Sequence, residues 1–185
     1  RYTPGAKMTA EEFRSKLTVR NLKDALKEKA VRKTAAKHAA SRSRFDTLGA
    51  MIDVSRGRVL KIDYLEKRFK RMSEMGYNAV MLYCEDVFRL DGEAKFGYMK
   101  GRYTKDDVRK IKALADRYGL EMVPCVETLG HLETVLRWSD YADVKNTGST
   151  LLVGEEKTYA LIEKMVAFWA DTVGGERIHV GMDEA

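Results

Sequence analysis

Four short apolar runs, each ending in charged residues and separated from the next by a stretch of helical periodicity, predict an α/β chain built on a parallel sheet. The runs are Leu48–Arg56, Asn78–Cys84, Leu120–Val126 and Arg177–Gly181. All four lead into polar groups: Asp53 and Arg56, Glu85 and Asp86, Glu127 and His131, Asp183 and Glu184. In α/β architectures ligands sit at the carboxyl ends of the strands, so these groups form one candidate site. No glycine-rich phosphate loop follows the first run, which argues against a dinucleotide fold. The class that fits is a (β/α)8 TIM barrel, which takes about 250 residues when complete. Residues 47–185 are then the first half of such a domain, roughly its first four βα units, preceded by a basic helical N-terminal arm over residues 1–46.

Of the 185 residues, 44% are hydrophobic and 34% charged, a balance that suits a globular core with a solvated surface. The longest apolar run, Ala79–Cys84, is far too short to span a bilayer, and no signal peptide is visible, so no membrane span is expected. Two cysteines, Cys84 and Cys125, make no disulfide framework and match no zinc spacing, so reduced core thiols and a cytoplasmic location are expected. The net charge of +6 is uneven. Residues 1–44 carry 13 Lys+Arg against four acids, a balance of +9 that leaves −3 for the remainder. The pI near 9.2 therefore describes the arm. The arm has few aromatics for stacking and no base-reading motif, so no nucleic-acid partner is expected; a solvated helix docked on the rest is the simpler reading.

Thr9-Ala10-Glu11-Glu12 has capping-box spacing and predicts a helix start, and a second, basic amphipathic helix is expected over Arg20–Ala40. After the first strand, Ile62, Leu65, Phe69 and Met72 recur at helical spacing and Gly76 closes the helix. The excursion from Val87 to Thr104, with Phe96, Gly97, Tyr98, Gly101 and Tyr103, suits either a loop covering a site or a surface loop with a few packed aromatics. Asp106–Tyr118 is the next helix by pattern, closed by Gly119. Residues 132–150 read as irregular with short helical turns around Trp138 and Tyr141, and Glu155–Thr172 as the last helix.

The last run ends in adjacent carboxylates. Side chains alternate along a strand, so Asp183 and Glu184 would face opposite ways inside one; beyond its end both can turn toward one cavity, and Gly181 gives the backbone room to do so. An ordinary polar loop after a strand is the plainer reading of that pair taken alone.

Three stretches resemble motifs of the family 20 glycoside hydrolases, the β-N-acetylhexosaminidases. His179-Val-Gly-Met-Asp-Glu184 looks like the family's His-x-Gly-Gly-Asp-Glu motif, Asp53-Val-Ser-Arg56 like its Asp-x-x-Arg motif, and Pro124-Cys-Val-Glu-Thr-Leu-Gly-His131 like its Pro-Glu-x-Asp-x-Pro-Gly-His motif. Met182 stands where the pattern has glycine, Cys125 glutamate, Glu127 aspartate and Leu129 proline, which suggests a divergent branch close to the hexosaminidase D-like members. The resemblance implies hydrolysis of terminal β-linked N-acetylhexosamine with retention. In that scheme the substrate's own acetamido oxygen is the nucleophile, an exception to the two-carboxylate mechanism, and no cofactor is needed.

By the same resemblance Glu184 is the general acid and base, which calls for a pKa raised toward neutrality, and Asp183 stays ionised and orients the acetamido group. Arg56 would bind sugar hydroxyls, unless it only pairs with Asp53. Glu85, Glu127, His131 and Trp138 would line the sugar site, while Asp53 and His179 would support it from behind. His131 and His179 can each equally be hydrogen-bonded core residues, and Trp138 a core aromatic. The expected partners are N-acetylhexosamine-containing glycans.

Two other classes remain open from the sequence. One is a barrel enzyme in which Glu85, Glu127, Asp183 and Glu184 bind a divalent metal such as magnesium. The other is a non-catalytic carbohydrate-binding or assembly module, because a half barrel exposes unpaired strand edges; for the same reason the 185-residue chain alone is expected to be inactive and prone to associate.

Overall fold

A computed structural model describes residues 45–185. The helices expected from Thr9 and over Arg20–Ala40, and with them nearly all of the basic arm, lie outside the described residues.

Three parallel strands form one sheet in the order β1 (Gly49–Asp53), β2 (Ala79–Cys84), β3 (Glu121–Val126). Helix α1 (Ile62–Glu74) joins the first two and α2 (Lys105–Arg117) joins the second and third. After β3 come a short helix α3 (Glu133–Leu136), a 3-10 turn over Ser139–Val144, and the long helix α4 (Glu156–Val173). The elements fall where the periodicity puts them because each helix has one apolar stripe and a defined stop. Leu65, Phe69 and Met72 of α1 and Val108, Ile111 and Leu114 of α2 are the buried stripes. Gly76 after α1 and Gly174 after α4 take left-handed φ values of 88° and 61°, which end the helices without a Cβ clash. The start of α2 is set by Thr104, whose hydroxyl accepts from the Asp107 N–H while the Asp107 carboxylate accepts from the Thr104 N–H.

Strand alternation divides the sheet into two unlike faces. Register pairs Ile52 with Leu82 and Leu82 with Pro124, so Ala50, Ile52, Val80, Leu82, Cys84, Met122 and Val126 share the face that packs on the helices. Met51, Met81, Tyr83 and Cys125 point to the other side, where Met51 is 51% exposed. Glu85 and Glu127, two residues beyond Tyr83 and Cys125, continue that second face past the strand ends.

The fourth strand is not formed. The Val126 N–H donates to the His179 carbonyl, the His179 N–H to Pro124, and the Thr128 N–H to Gly181, so residues 177–181 run parallel to β3 but make only the single bridge Cys125–His179. Gly181 takes a φ of 44°, outside the extended region, so the backbone turns away from β3 there. The sheet therefore has three strands where the sequence suggested four βα units.

The Val87–Thr104 excursion is a packed element. Phe88 and Phe96 are fully buried, and Phe88 meets Phe96 and Trp169 edge-on and Phe168 at a tilt, with ring centroids 4.9–5.4 Å apart, which ties the loop to α4. Among its large apolar side chains, Tyr98 and Met99 are the ones open to solvent. No helix among the described residues is long and apolar enough to cross a membrane.

Candidate active site

Because the three strands are parallel, the residues that follow each of them lie at the same end of the sheet. At the end of β1, Asp53 is wrapped by its own turn: the N–H groups of Ser55 and Arg56 donate to Oδ1 at 2.9 and 3.0 Å, and Arg56 Nε donates to Oδ2 at 2.6 Å. Partial burial opposes the charge on Asp53, but these three donors outweigh it and hold the carboxyl below its ordinary range. The guanidinium of Arg56 also lies 4.7 Å over the ring of Tyr83. Arg56 is thus paired with Asp53, the plainer of its two expected roles, yet 61% of its side chain stays exposed.

At the end of β2, Glu85 is buried; its N–H donates to the Ser55 hydroxyl at 2.7 Å, and its Oε1 accepts from the Tyr83 hydroxyl at 3.1 Å. Burial pushes its pKa up, against the pull of the Tyr83 hydrogen bond and the Lys100 charge. Asp86 beside it turns the other way, where it accepts from Lys100 Nζ at 2.8 Å and Thr134 Oγ1 at 2.7 Å and pins the excursion to α3.

At the end of β3, Glu127 is 1% exposed and its Oε2 is a buried acceptor without a partner among the described residues. Burial, then the Asp183 charge, push its pKa up to about 7, against the pull of His131. Gly181 makes the arrangement possible, since a Cβ there would sit 2.6 Å from the Glu127 carboxylate.

His131 Nε2 lies 3.3 Å from Asp183 Oδ2 and 3.6 Å from Glu184 Oε2, so one imidazole faces both terminal acids. A turn over residues 183–184 brings them there, with Glu184 at φ 56° and His131 itself at φ 56°. Left-handed conformations in residues other than glycine cost of order 1–3 kcal/mol and collect at functional sites. The Asp183 pKa is lowered, first by its own backbone N–H and then, against slight desolvation, by His131. Both acids are open, at 60% and 81% side-chain exposure.

His179 stands behind this group. Its Nδ1 accepts from the Gly181 N–H at 3.1 Å and lies 3.3 Å from Cys125 Sγ. Burial pushes the Cys125 thiol up to about 11, so it keeps its proton beside the ring. Trp138 is enclosed by cations and an aromatic ring. Lys95 Nζ and the Arg137 guanidinium lie over its ring at 4.6 and 4.8 Å, Tyr98 meets it edge-on, and its buried Nε1 has no partner among the described residues.

One donor atom each from Glu127, His131 and Asp183 falls within 4.8 Å of the others, a set that could hold a divalent ion. That set includes a histidine and leaves out Glu85 and Glu184, unlike the carboxylate-only group considered from the sequence. The residues missed by sequence reasoning are Tyr83 and Ser55, which join Arg56 to Glu85. Tyr83 carries a period-two signal, since it precedes Glu85 by two on the same face; Ser55 carries none.

No family model matches the chain. It is 32% identical over 132 residues to human (Homo sapiens) hexosaminidase D, an alignment covering 67% of this chain and 26% of that protein. Among solved structures, the family 20 β-N-acetylhexosaminidase of Streptomyces coelicolor A3(2) superposes with a TM-score of 0.67 at 27% identity, over 77% of this chain and 34% of that one. The Streptomyces plicatus N-acetyl-β-hexosaminidase in complex with thio-NAglucal gives 0.68 at 25% identity, over 77% and 33%. The chain spans about a quarter to a third of the length of these relatives. Their likeness implies the TIM-barrel type of catalytic domain, of which the described residues form a three-stranded α/β part. Likeness in sequence and in fold, together with the three motifs, makes this chain a divergent, hexosaminidase D-like member of glycoside hydrolase family 20.

Proposed function

We propose that this chain carries the acid–base end of a retaining exo-glycosidase that removes terminal β-linked N-acetylhexosamine from glycans. The observation that carries the reading is His131 Nε2 set between Asp183 and Glu184, at 3.3 and 3.6 Å. Glu184 is open to a ligand, and its neighbour Asp183 is held ionised.

In the first step the acetamido carbonyl oxygen attacks the anomeric carbon as the bond to the leaving oxygen breaks, and Glu184 gives its proton to that oxygen. Asp183 accepts the acetamido N–H, fixes the carbonyl for attack and offsets the positive charge of the oxazolinium ring. Water then attacks the anomeric carbon, Glu184 takes its proton, and the ring opens to the retained sugar. His131 orients both acids, while Glu127, whose pKa is raised by burial, can in its protonated form donate a hydrogen bond to Asp183. Arg56 and Glu85 take sugar hydroxyls.

The test is a substrate pair on the full-length protein: an aryl β-N-acetylglucosaminide should be cleaved with retention and the matching glucoside left nearly intact. Equal cleavage of both would rule out the substrate's own nucleophile. A second reading follows from the Glu127, His131 and Asp183 donor set, which suits a divalent ion. Hydrolysis that persists in excess chelator disposes of it; loss restored by added magnesium or manganese would favour it.

A further inference from the structure

A pocket beside Arg56 extends past the groups given roles above, sharing only Arg56 with them. It has a volume of about 340 Å³, and its walls include Arg56, Arg58, Lys100, Ser55 and the backbones of Gly57 and Gly101. Three cations line it and no carboxylate does. Two of them are held from behind: Asp53 takes Nε of Arg56, leaving its terminal nitrogens without a hydrogen-bond partner among the described residues, and buried Asp86 fixes Lys100 Nζ at 2.8 Å. Arg58 is different. It is exposed and has no ion pair or side-chain hydrogen bond among the described residues, so its charge is the one that no carboxylate offsets. Gly57 leaves its side of the cavity clear, since a Cβ there would meet nothing within 4 Å.

The pocket is joined to the sugar site through Arg56, which belongs to both. A neutral hydroxyl entering it would leave the Arg58 charge to water. A tetrahedral or planar oxyanion would meet a planar fork from Arg58, the free end of Arg56 and a fixed ammonium from Lys100, a donor set suited to sulfate, phosphate or carboxylate. Resting on the hydrolase reading, we propose that this pocket receives an anionic substituent on the terminal sugar, and that the substrates are acidic N-acetylhexosamine residues, with Arg58 the residue that selects them.

The test uses the full-length protein, calorimetric titration, and a panel of N-acetylglucosamine, its 3-, 4- and 6-sulfates, its 6-phosphate, and inorganic sulfate. At least one charged sugar should bind about tenfold or more tighter than N-acetylglucosamine, the size expected for one charge-assisted contact. Arg58→Ala should abolish that gain while leaving N-acetylglucosamine binding and the melting temperature unchanged, and Arg58→Lys should restore part of it. Equal binding of neutral and charged sugars overturns the inference while leaving the hydrolase reading intact. So does a gain that survives Arg58→Ala, or inorganic sulfate binding that the charged sugars do not displace. If neither N-acetylglucosamine nor any charged form binds and no aryl N-acetylglucosaminide is cleaved, the hydrolase reading falls along with it.

Discussion

The two faces of the sheet come from the same three strands and are built for different purposes. On the helix side, Val80, Leu82, Cys84, Met122 and Val126 pack against buried stripes such as Leu65, Phe69, Val108 and Ile111. On the opposite side, the same strands carry Tyr83 and Cys125 and run on into Glu85 and Glu127, while Met51 stays half open. The alternation of side chains lets neighbouring residues hold opposite environments. Cys84 and Glu85 are adjacent, yet one is an inert buried thiol and the other joins a polar network with Tyr83 and Ser55. Stability and chemistry are therefore separable in this chain by face, and each can be broken without the other.

The largest effect should come from the chemical side. In the full-length protein Glu184→Gln should cut turnover of substrates with poor leaving groups by about 10²–10⁴-fold, the usual contribution of a positioned proton donor, and should spare activated aryl substrates more. Asp183→Asn should slow both classes alike. Neither should shift the melting temperature appreciably, because both side chains are largely exposed. A large loss of stability in either variant would break the division between the faces.

The converse change is Phe69→Ala on the helix side. Phe69 is fully buried, so its removal should cost roughly 3–5 kcal/mol of stability, read as a lower unfolding midpoint in denaturant. The protein that remains folded should keep its KM, since no part of Phe69 lies at the strand ends. An altered KM at full folding would mean that packing on one face sets geometry on the other.

A smaller effect sharpens the comparison at its boundary, where Glu127 is buried yet belongs to the chemical face. Its folded pKa of about 7 lies above the ordinary 4.5, so the folded protein binds the proton more tightly than the unfolded chain. The stability associated with that proton is fully present below about pH 4.5 and is lost as the pH rises through about 7. Glu127→Gln should flatten this decline in a pH series of melts. The flattening should be partial, because burial raises Glu85 as well and gives it the same sign. A decline unchanged in slope would show that Glu127 does not hold its proton.

The smallest effect is expected outside both faces. Deleting residues 1–44, which hold the +9 balance, should leave hydrolysis by the full-length protein largely intact. Nucleic-acid binding that weakens with salt and disappears with the deletion would instead give the arm a partner of its own.

The sequence by itself determined the local elements and their order. Apolar spacing, stop glycines and charged strand ends are all local signals, and α1, α2, α4 and the three strands lie where those signals put them. Through motif likeness it also pointed to Asp183 and Glu184 as the acids and to His131 as one of several residues beside them or in the core. Only the tertiary structure decided which groups share a charge environment. The stacking of Arg56 over Tyr83, the closure of Trp138 beneath Lys95, and the raised carboxyl at Glu127 each depend on residues distant in sequence. The missing fourth strand has the same origin. Residues 177–181 have strand-like character, but a strand is a property of a pairing, and here the pairing with β3 amounts to a single bridge before the backbone turns at Gly181. Periodicity reads what one segment prefers, whereas burial, charge and pairing are set by what the fold brings beside it.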